Sequence, residues 1–190
     1  MKTRSFFKKH ISLLFVLGAC FSCIKDTDFN QSTSITLNPI MEVNLVEVQE
    51  TADSFLDASE AEVLMISDLI VLDIFSSNFI NDNLIKTELV FEVTNSLNKA
   101  FQIKMDFYDP SNVLQYSFFI DIDNSLTNTP LVTNHTEVFE AMSLAALKSS
   151  TQLDISIILM SSPTGSVLTA DSIGNINLTS KGIFYFELKE

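Results

Sequence analysis

Apolar and polar residues alternate along most of the chain after residue 35, a pattern typical of β-strands with one buried face. In the clearest run, residues 101–107, four apolar side chains are separated by Gln102, Lys104 and Asp106. The same period of two recurs in four other segments: residues 88–93, 116–122, 153–159 and 184–188. Each of these runs predicts a half-buried strand.

The alternation changes phase near the start of the patterned region. Met41, Val43 and Leu45 share one phase, whereas Val46 and Val48 take the other. A slip of one residue turns every later side chain to the opposite face of a regular strand. The slip therefore predicts a β-bulge or a strand that changes sheets.

Two segments have the composition of tight turns between strands. Asp109-Pro110-Ser111-Asn112 has Pro at the second turn position and lies between two alternating runs, which predicts a hairpin. Ser162-Pro163-Thr164-Gly165 follows the run at 153–159 and predicts a second turn in the same way.

Helical signals are few. Ser143 is a candidate N-cap for a short helix over residues 144–148, which are good helix formers. Asp57-Ala58-Ser59-Glu60 resembles a capping box and predicts a second helix toward Ile66. Residues 69–75 are apolar except for one acid and rich in β-branched side chains, which predicts a further strand.

Seven or eight short strands within about 155 residues predict a mainly β fold: an antiparallel, immunoglobulin-like β-sandwich with one or two short helices. Only the architecture is predicted, because paired cysteines around a Trp are absent. We expect residues 33–190 to form a single domain. Twelve of the 16 Phe residues follow residue 22 and supply a large apolar core.

The charge balance excludes some partners. The chain carries 11 Lys and Arg against 24 Asp and Glu, and four of the bases precede residue 10. Beyond residue 22 the balance is 7 − 24 = −17, and Arg is absent. Such a domain is a poor nucleic-acid binder, because neutralising phosphates supplies much of that affinity. Anionic lipid surfaces would repel this domain, because both carry negative charge.

The first 22 residues have the composition of an export signal. A basic segment with Lys2, Arg4, Lys8 and Lys9 precedes an uncharged, mostly apolar stretch over residues 11–21. That stretch is shorter than the roughly 20 residues needed to span a bilayer. The only two cysteines, at positions 20 and 23, lie at its end.

Leu17-Gly18-Ala19-Cys20 resembles the lipobox of bacterial lipoproteins, and Ser22-Cys23-Ile24-Lys25-Asp26 is similar to the Bacteroidota type, in which a charged segment follows the cysteine. The resemblance implies cleavage of a signal peptide and lipidation of Cys23, with Cys20 as the alternative. Residues 23–32 would then be the lipidated Cys and a polar tether. The resemblance also implies that a covalent lipid attaches the protein to a membrane. The location would be the outer membrane or cell surface of a Gram-negative bacterium, with the periplasmic face of that membrane as the alternative.

Candidate chemistry is sparse, and we predict no cofactor and no enzyme. The sequence contains no G-x-S-x-G motif, and beyond the leader His135 is the only His, expected on an exposed loop or strand edge. Asp121 and Asp123 resemble the start of a calcium loop, but the Gly and the terminal Glu of an EF-hand are missing. They are weak calcium candidates, since alternating acids usually form a solvated strand face.

These features favour a non-enzymatic binding or structural accessory module held at the envelope, with an envelope protein as a further predicted partner. One alternative is a carrier of an apolar ligand, which requires an apolar cavity of about 300 Å³ or more between the sheets. A second alternative is a hydrolase that uses a pair of carboxylates, which requires a cleft that brings two acids together.

Overall fold

The computed structural model describes residues 36–161 and 167–189. By its contacts the chain divides into a compact unit of residues 37–188 and a second unit of residues 1–36 and 189–190, of which only Thr36 and Lys189 are described. The predicted leader, the tether, Cys20, Cys23 and the predicted turn at 162–165 lie outside the described residues.

The described elements are mostly strands. They are β1 (Thr36–Leu37), β2 (Ile40–Thr51), β3 (Met65–Val71), β4 (Leu84–Asn95), β5 (Phe101–Tyr108), β6 (Leu114–Ile122), β7 (Leu131–Phe139), β8 (Gln152–Leu159), β9 (Asn175–Phe186) and β10 (Leu188–Lys189). The α-helices are α1 (Asn78–Asn83) and α2 (Ala141–Ser149), and two 3₁₀ turns cover Ala52–Phe55 and Asp73–Ser76. Within this described part, neither helix is long and apolar enough to cross a bilayer.

Eight strands form two antiparallel sheets of four, with the orders β2-β9-β4-β7 and β3-β8-β5-β6. The predicted sandwich of immunoglobulin-like architecture, with two short helices, is confirmed. Within that architecture, this strand order is the one of an eight-stranded jelly roll. At one edge of the sandwich β2 lies beside β3, and at the other edge β6 lies beside β7.

The core lies between the sheets and is built by the alternation seen in the sequence. Inward positions of β4, β5, β8 and β9 are buried, and outward positions on the same strands are half-buried or exposed except for Asp106 and Ser156, which are buried. Six Phe side chains are almost completely shielded: Phe55, Phe101, Phe107, Phe139, Phe184 and Phe186. Each contributes roughly 2–3 kcal/mol of gross transfer free energy, so aromatic packing dominates the interior.

The predicted irregularity in β2 is a β-bulge. Asn44 lies opposite Lys181 and Val46 opposite Ser180, so Leu45 is an extra residue in β2. The bulge lets Val43 and Val46 both face the interior although they are three residues apart. The predicted hairpin after β5 is also confirmed: β5 and β6 pair, and Asp109 Oδ1 accepts backbone N–H bonds from the turn.

Three local predictions need correction. No helix begins at Asp57; its Oδ1 instead accepts the N–H groups of Ser59 and Ala61 at 2.7 and 3.0 Å, and Glu60 has φ of 59°. A short polar side chain that bonds its neighbouring backbone competes with helix formation. The strand predicted over residues 69–75 ends at Val71 and is followed by the 3₁₀ turn Asp73–Ser76.

The helix predicted over residues 144–148 exists but begins three residues earlier, at Ala141. Ser143 is therefore inside the first turn, where its Oγ accepts the backbone N–H of Glu140 at 3.0 Å. The hydroxyl still satisfies a backbone donor at the helix start, but from the third helical position.

Candidate functional site

A cavity of about 310 Å³ lies between the two sheets, on the side of β2 and β3. Its walls are apolar side chains from both sheets, closed at one end by the 3₁₀ turn Asp73–Ser76 and by Leu147 of α2. The sheet residues that line it are Val43, Leu45, Val46, Ile70, Val71, Leu89, Phe91, Phe107, Leu153, Ile155, Ser180 and Phe184.

The mouth of the cavity is the gap between β2 and β3. Val43, Leu45 and Val71 line the cavity and are 37%, 42% and 65% exposed. Side chains deeper between the sheets, such as Leu89 and Ile155, are buried. The sandwich is therefore open at this edge, and we call the β2–β3 side the open edge.

Two small residues, Ser180 and Gly182, occupy successive inward positions of β9. Inward positions of this central strand carry Leu178, Ser180, Gly182 and Phe184 in succession. A Cβ on Gly182 would lie 2.7 Å from Cε2 of Phe184 and 3.3 Å from Cδ1 of Leu45, so Phe184 folds over the glycine. The Oγ of Ser180 is likewise covered by its surroundings and out of reach of water.

The cavity contains few polar groups. Asp73 is its only charged lining residue among the described ones and is exposed at one end. Ser180 is 8% exposed, and its Oγ is shielded from water without a hydrogen-bond partner in the described part of the protein. The accessible walls of the cavity are therefore almost entirely apolar, which is the main part of the composition of a small-molecule site.

A second groove, of about 490 Å³, continues along the open edge. It shares Leu45, Val46, Ile70 and Ile155 with the cavity, so one apolar floor runs under both. Its remaining lining alternates apolar side chains with an acidic and polar rim: Glu47, Val48, Glu50, Ile66, Ser67, Asp68 and Ile157.

The opposite side, which we call the closed edge, is sealed by side chains of β6 and β7. The hydroxyl of Tyr116 donates to Glu137 Oε1, and His135 Nε2 lies 3.0 Å from Glu137 Oε2. The hydrogen bond to this carboxylate, with burial and its negative charge, raises the pKa of Tyr116 to about 12. Tyr116 therefore stays protonated and links the sheets as a donor.

His135 is not the solvent-facing side chain that the sequence predicts. It lies on β7, an edge strand, but faces the interior, with its side chain 30% exposed. Its ring stacks on Phe118 at 5.4 Å between centroids and 17° between planes. Because both oxygens of Glu137 are engaged, this cluster ties β6 to β7, and neither His135 nor Glu137 lines the cavity.

The calcium candidates lie away from the cavity. Asp121 is exposed on β6 and accepts a 2.7 Å bond from Gln102, while the backbone carbonyl of Asp123 accepts from Asn95. Among residues 36–161 and 167–189, no group of three His, Cys, Asp or Glu side chains is placed to hold a metal ion. The calcium prediction stays a prediction.

One pair of acids lies on neighbouring strands. Asp106 of β5 and Asp154 of β8 are register partners on the outward face of the second sheet. Asp106 is already engaged by Lys104 at 2.6 Å and by the hydroxyl of Ser117 at 2.5 Å. Neither acid lines the cavity.

No protein-family model matches the chain, and no curated protein matches it. A protein of Parabacteroides distasonis described as secreted is similar in structure, at a TM-score of 0.46 and 15% identity over 63% of this chain and 37% of that one. The VP2 subviral particle of infectious bursal disease virus gives 0.42 at 10% identity, over 80% and 37%. Tailspike protein 4 of bacteriophage CBA120, in its enzymatically active domain, gives 0.35 at 9%, over 80% and 19%.

This chain thus spans well under half the length of each of these structures. With TM-scores below 0.5, the similarities carry no argument about function.

Proposed function

We propose that this protein is a non-enzymatic binding module of the cell envelope that takes an apolar ligand into the cavity between its sheets. The observation that carries the proposal is the apolar cavity of about 310 Å³ at the open edge. It reaches the size that the carrier alternative requires, at the lower end of the 300–1,000 Å³ range of small-molecule sites.

The expected affinity follows from the apolar walls. A small ligand that buries about 250 Å² of apolar surface gains roughly 6 kcal/mol, at about 25 cal/mol per Å². The translational and rotational freedom that the ligand loses offsets part of this gross free energy, so a Kd of the order of tens of micromolar is the tightest that this burial supports. A ligand with a longer apolar chain would extend along the neighbouring groove, whose floor includes Val48 and Ile66, and would bind more tightly.

The proposed location is the envelope, with a covalent lipid on Cys23 or Cys20. The support is the leader with its lipobox resemblance, because both cysteines of the chain lie there. The expected partner is the membrane to which the lipid is attached, and an envelope protein stays a further predicted partner. Metabolic labelling with a fatty acid, compared between Cys20→Ser and Cys23→Ser, identifies the lipidated residue. Absence of label in the unsubstituted protein would contradict the anchor.

Ligand binding is tested with N-phenyl-1-naphthylamine, an apolar dye that fluoresces when it leaves water. The protein used is the full-length chain with Cys20→Ser and Cys23→Ser, so that no covalent lipid competes. Val43→Trp places an indole at the cavity mouth, whereas Val132→Trp places the same group at an exposed position on β7 that does not line the cavity.

We expect saturable dye binding by the parent chain and by Val132→Trp, and a loss of about tenfold or more in affinity for Val43→Trp. Equal loss in both variants, or equal binding by both, would contradict a site in this cavity. Circular dichroism melting of each variant verifies that the sandwich is intact.

A further inference from the structure

We propose that β3 is a docking edge for an extended segment of a partner protein, which adds to the second sheet as a further strand. The partner presents a basic side chain to Asp68 and apolar side chains on either side of it. This inference goes beyond the proposed function and does not depend on it, because it uses the backbone edge of β3 and not the cavity.

The first step is the direction of the backbone groups of β3. Among the described strands, β3 pairs only with β8, at the end of its sheet. On either side of β3, Leu159 N–H donates to the carbonyl of Leu64 at 2.9 Å, and Leu72 N–H to that of Thr151 at 2.8 Å. Because hydrogen-bonded and non-hydrogen-bonded pairs alternate in an antiparallel ladder, the even-numbered residues of β3 direct their backbone groups to β8. The residues that direct theirs to the open edge are Met65, Ser67, Leu69 and Val71.

The second step is the side chains that flank this backbone edge. On the outward face of β3, Met65, Leu69 and Val71 are each more than half exposed. On the inward face, Ile66 and Ile70 line the groove of the open edge. An edge strand that is apolar on both faces, with a row of backbone groups directed away from its sheet, is a template for a further strand. The occupant that this edge fits is therefore an extended segment and not a helix.

The third step is the charge of the partner. The inward position between Ile66 and Ile70 carries Asp68, which is exposed and lines the groove. Glu47 and Glu50 also line the groove, and its described lining contains no Lys, Arg or His. A base opposite Asp68 on the incoming strand would be attracted, whereas an acid there would be repelled. A second copy of this chain is a poorer occupant, because it carries 24 Asp and Glu against 11 Lys and Arg.

Asp68 also determines how the edge behaves without a partner. Its Oδ1 accepts the backbone N–H of Leu69 at 2.9 Å, which is one of the donors directed to the open edge. The carboxylate thus covers that donor, as charged side chains do on edge strands that avoid unspecific pairing. A base on the incoming strand attracts the carboxylate and frees the Leu69 N–H for the new ladder. In an antiparallel ladder, the residue opposite Asp68 forms a non-hydrogen-bonded pair with it, in which the side chains lie close together.

The test uses the peptide TIWKTIT with blocked ends, which has the length of β3 and places Ile, Lys and Ile on one face. The chain contains no Trp, so the fluorescence of the peptide's Trp reports binding without Trp emission from the protein. The protein is the full-length, cysteine-free chain. The peptide TIWETIT, in which Glu replaces Lys, is titrated in parallel.

Two charge reversals test the role of Asp68. Asp68→Lys and Asp121→Lys change the net charge equally, but Asp121 is an exposed acid of β6, at the closed edge of the same sheet. We expect the parent chain to bind TIWKTIT about tenfold more tightly than TIWETIT. This preference should persist in Asp121→Lys and reverse in Asp68→Lys.

A second pair of variants tests the pairing of the backbone. Ser67→Pro removes one N–H that is directed to the open edge, a position at which an edge strand tolerates Pro. Ser67→Ala removes the same hydroxyl but keeps the N–H. We expect Ser67→Ala to bind TIWKTIT as the parent does, and Ser67→Pro to lose about tenfold or more in affinity. Circular dichroism verifies that both variants keep the sandwich.

Three results would overturn the proposal. If TIWKTIT gives no saturable change in Trp fluorescence, or if Asp68→Lys and Asp121→Lys show the same preference, β3 is not a docking edge for a basic strand. Undiminished binding of TIWKTIT by folded Ser67→Pro would contradict strand addition. Sedimentation equilibrium tests the rival occupant, since a dimer that Ser67→Pro dissociates would place a second copy of the chain on β3.

Discussion

At the closed edge, Tyr116, Glu137 and His135 fill the gap between β6 and β7, and Phe118 packs beneath the imidazole. At the open edge, the inward side chains of β2 meet no such cover, and Val43 and Leu45 remain more than a third exposed. Both edges belong to the same two sheets.

The difference shows how one sandwich combines a stable core with an accessible cavity. At the closed edge the hydrogen-bonded cluster and the stacked rings shield the aromatic interior, including Phe107 and Phe139. At the open edge, the uncovered face of β2 leaves the interior reachable. We interpret the closed edge as the structural side of the molecule and the open edge as the functional side.

The largest expected effect is a contrast between two Ile→Ala substitutions. Ile120 on β6 is buried at the closed side, whereas Ile70 on β3 is half-buried and already borders the cavity. Ile120→Ala should lower the free energy of unfolding by about 3–4 kcal/mol, because it opens a new void in packed surroundings. Ile70→Ala should cost about 1–2 kcal/mol, because fewer contacts are lost.

Urea denaturation followed by circular dichroism measures both values. Equal costs at the two positions would contradict the comparison of the edges, and a larger cost for Ile70→Ala would reverse it.

A smaller effect is expected for Tyr116→Phe, which removes the hydroxyl that donates to Glu137. At pH 7 we expect a loss of about 1–2 kcal/mol, since the bond involves a charged acceptor but is only half-buried. The pKa of Tyr116 is raised to about 12 from the ordinary value of 10. Its contribution is therefore fully present below pH 10 and is lost as the pH rises from 10 to 12.

The difference in unfolding free energy between the unsubstituted protein and Tyr116→Phe should consequently shrink across pH 10–12. Stability measured by urea denaturation at several pH values checks this. A difference that stays constant up to pH 12 would show that the Tyr116–Glu137 bond does not seal the closed edge.

The smallest effect is expected for deletion of Leu45. Since Asn44 pairs with Lys181 and Val46 with Ser180, removing Leu45 leaves a regular ladder in the same register. We expect the free energy of unfolding to change by no more than about 1 kcal/mol. Dye affinity should fall, because the deletion removes a lining side chain. Complete unfolding of the deletion variant would show that the bulge is required for the fold itself.

Much of the sandwich could be predicted because its strands obey a simple rule. Runs such as residues 101–107 place apolar side chains inward at every second position, and the bulge at Leu45 follows from the same rule. Strand β7 escaped prediction because its inward side chains include Thr133, His135 and Glu137. Because polar residues occupy inward positions of this edge strand, the hydrophobicity pattern does not indicate it. Only the β-branched residues of the strand could have indicated it.

The site could be anticipated only as one alternative among three. The cavity depends on β2 and β3 forming an open edge. That edge requires the strand order, which a single sequence does not specify.

The most direct test of the central claim is methyl NMR of the cysteine-free, full-length chain with labelled Ile, Leu and Val, titrated with decan-2-one. The account predicts saturable shifts of the methyl groups that line the cavity, including Val46, Ile70 and Ile155, with little change at Ile120 and Val132 on the closed side. Shifts confined to the closed side, or no saturable shifts at all, would contradict a ligand site at the open edge.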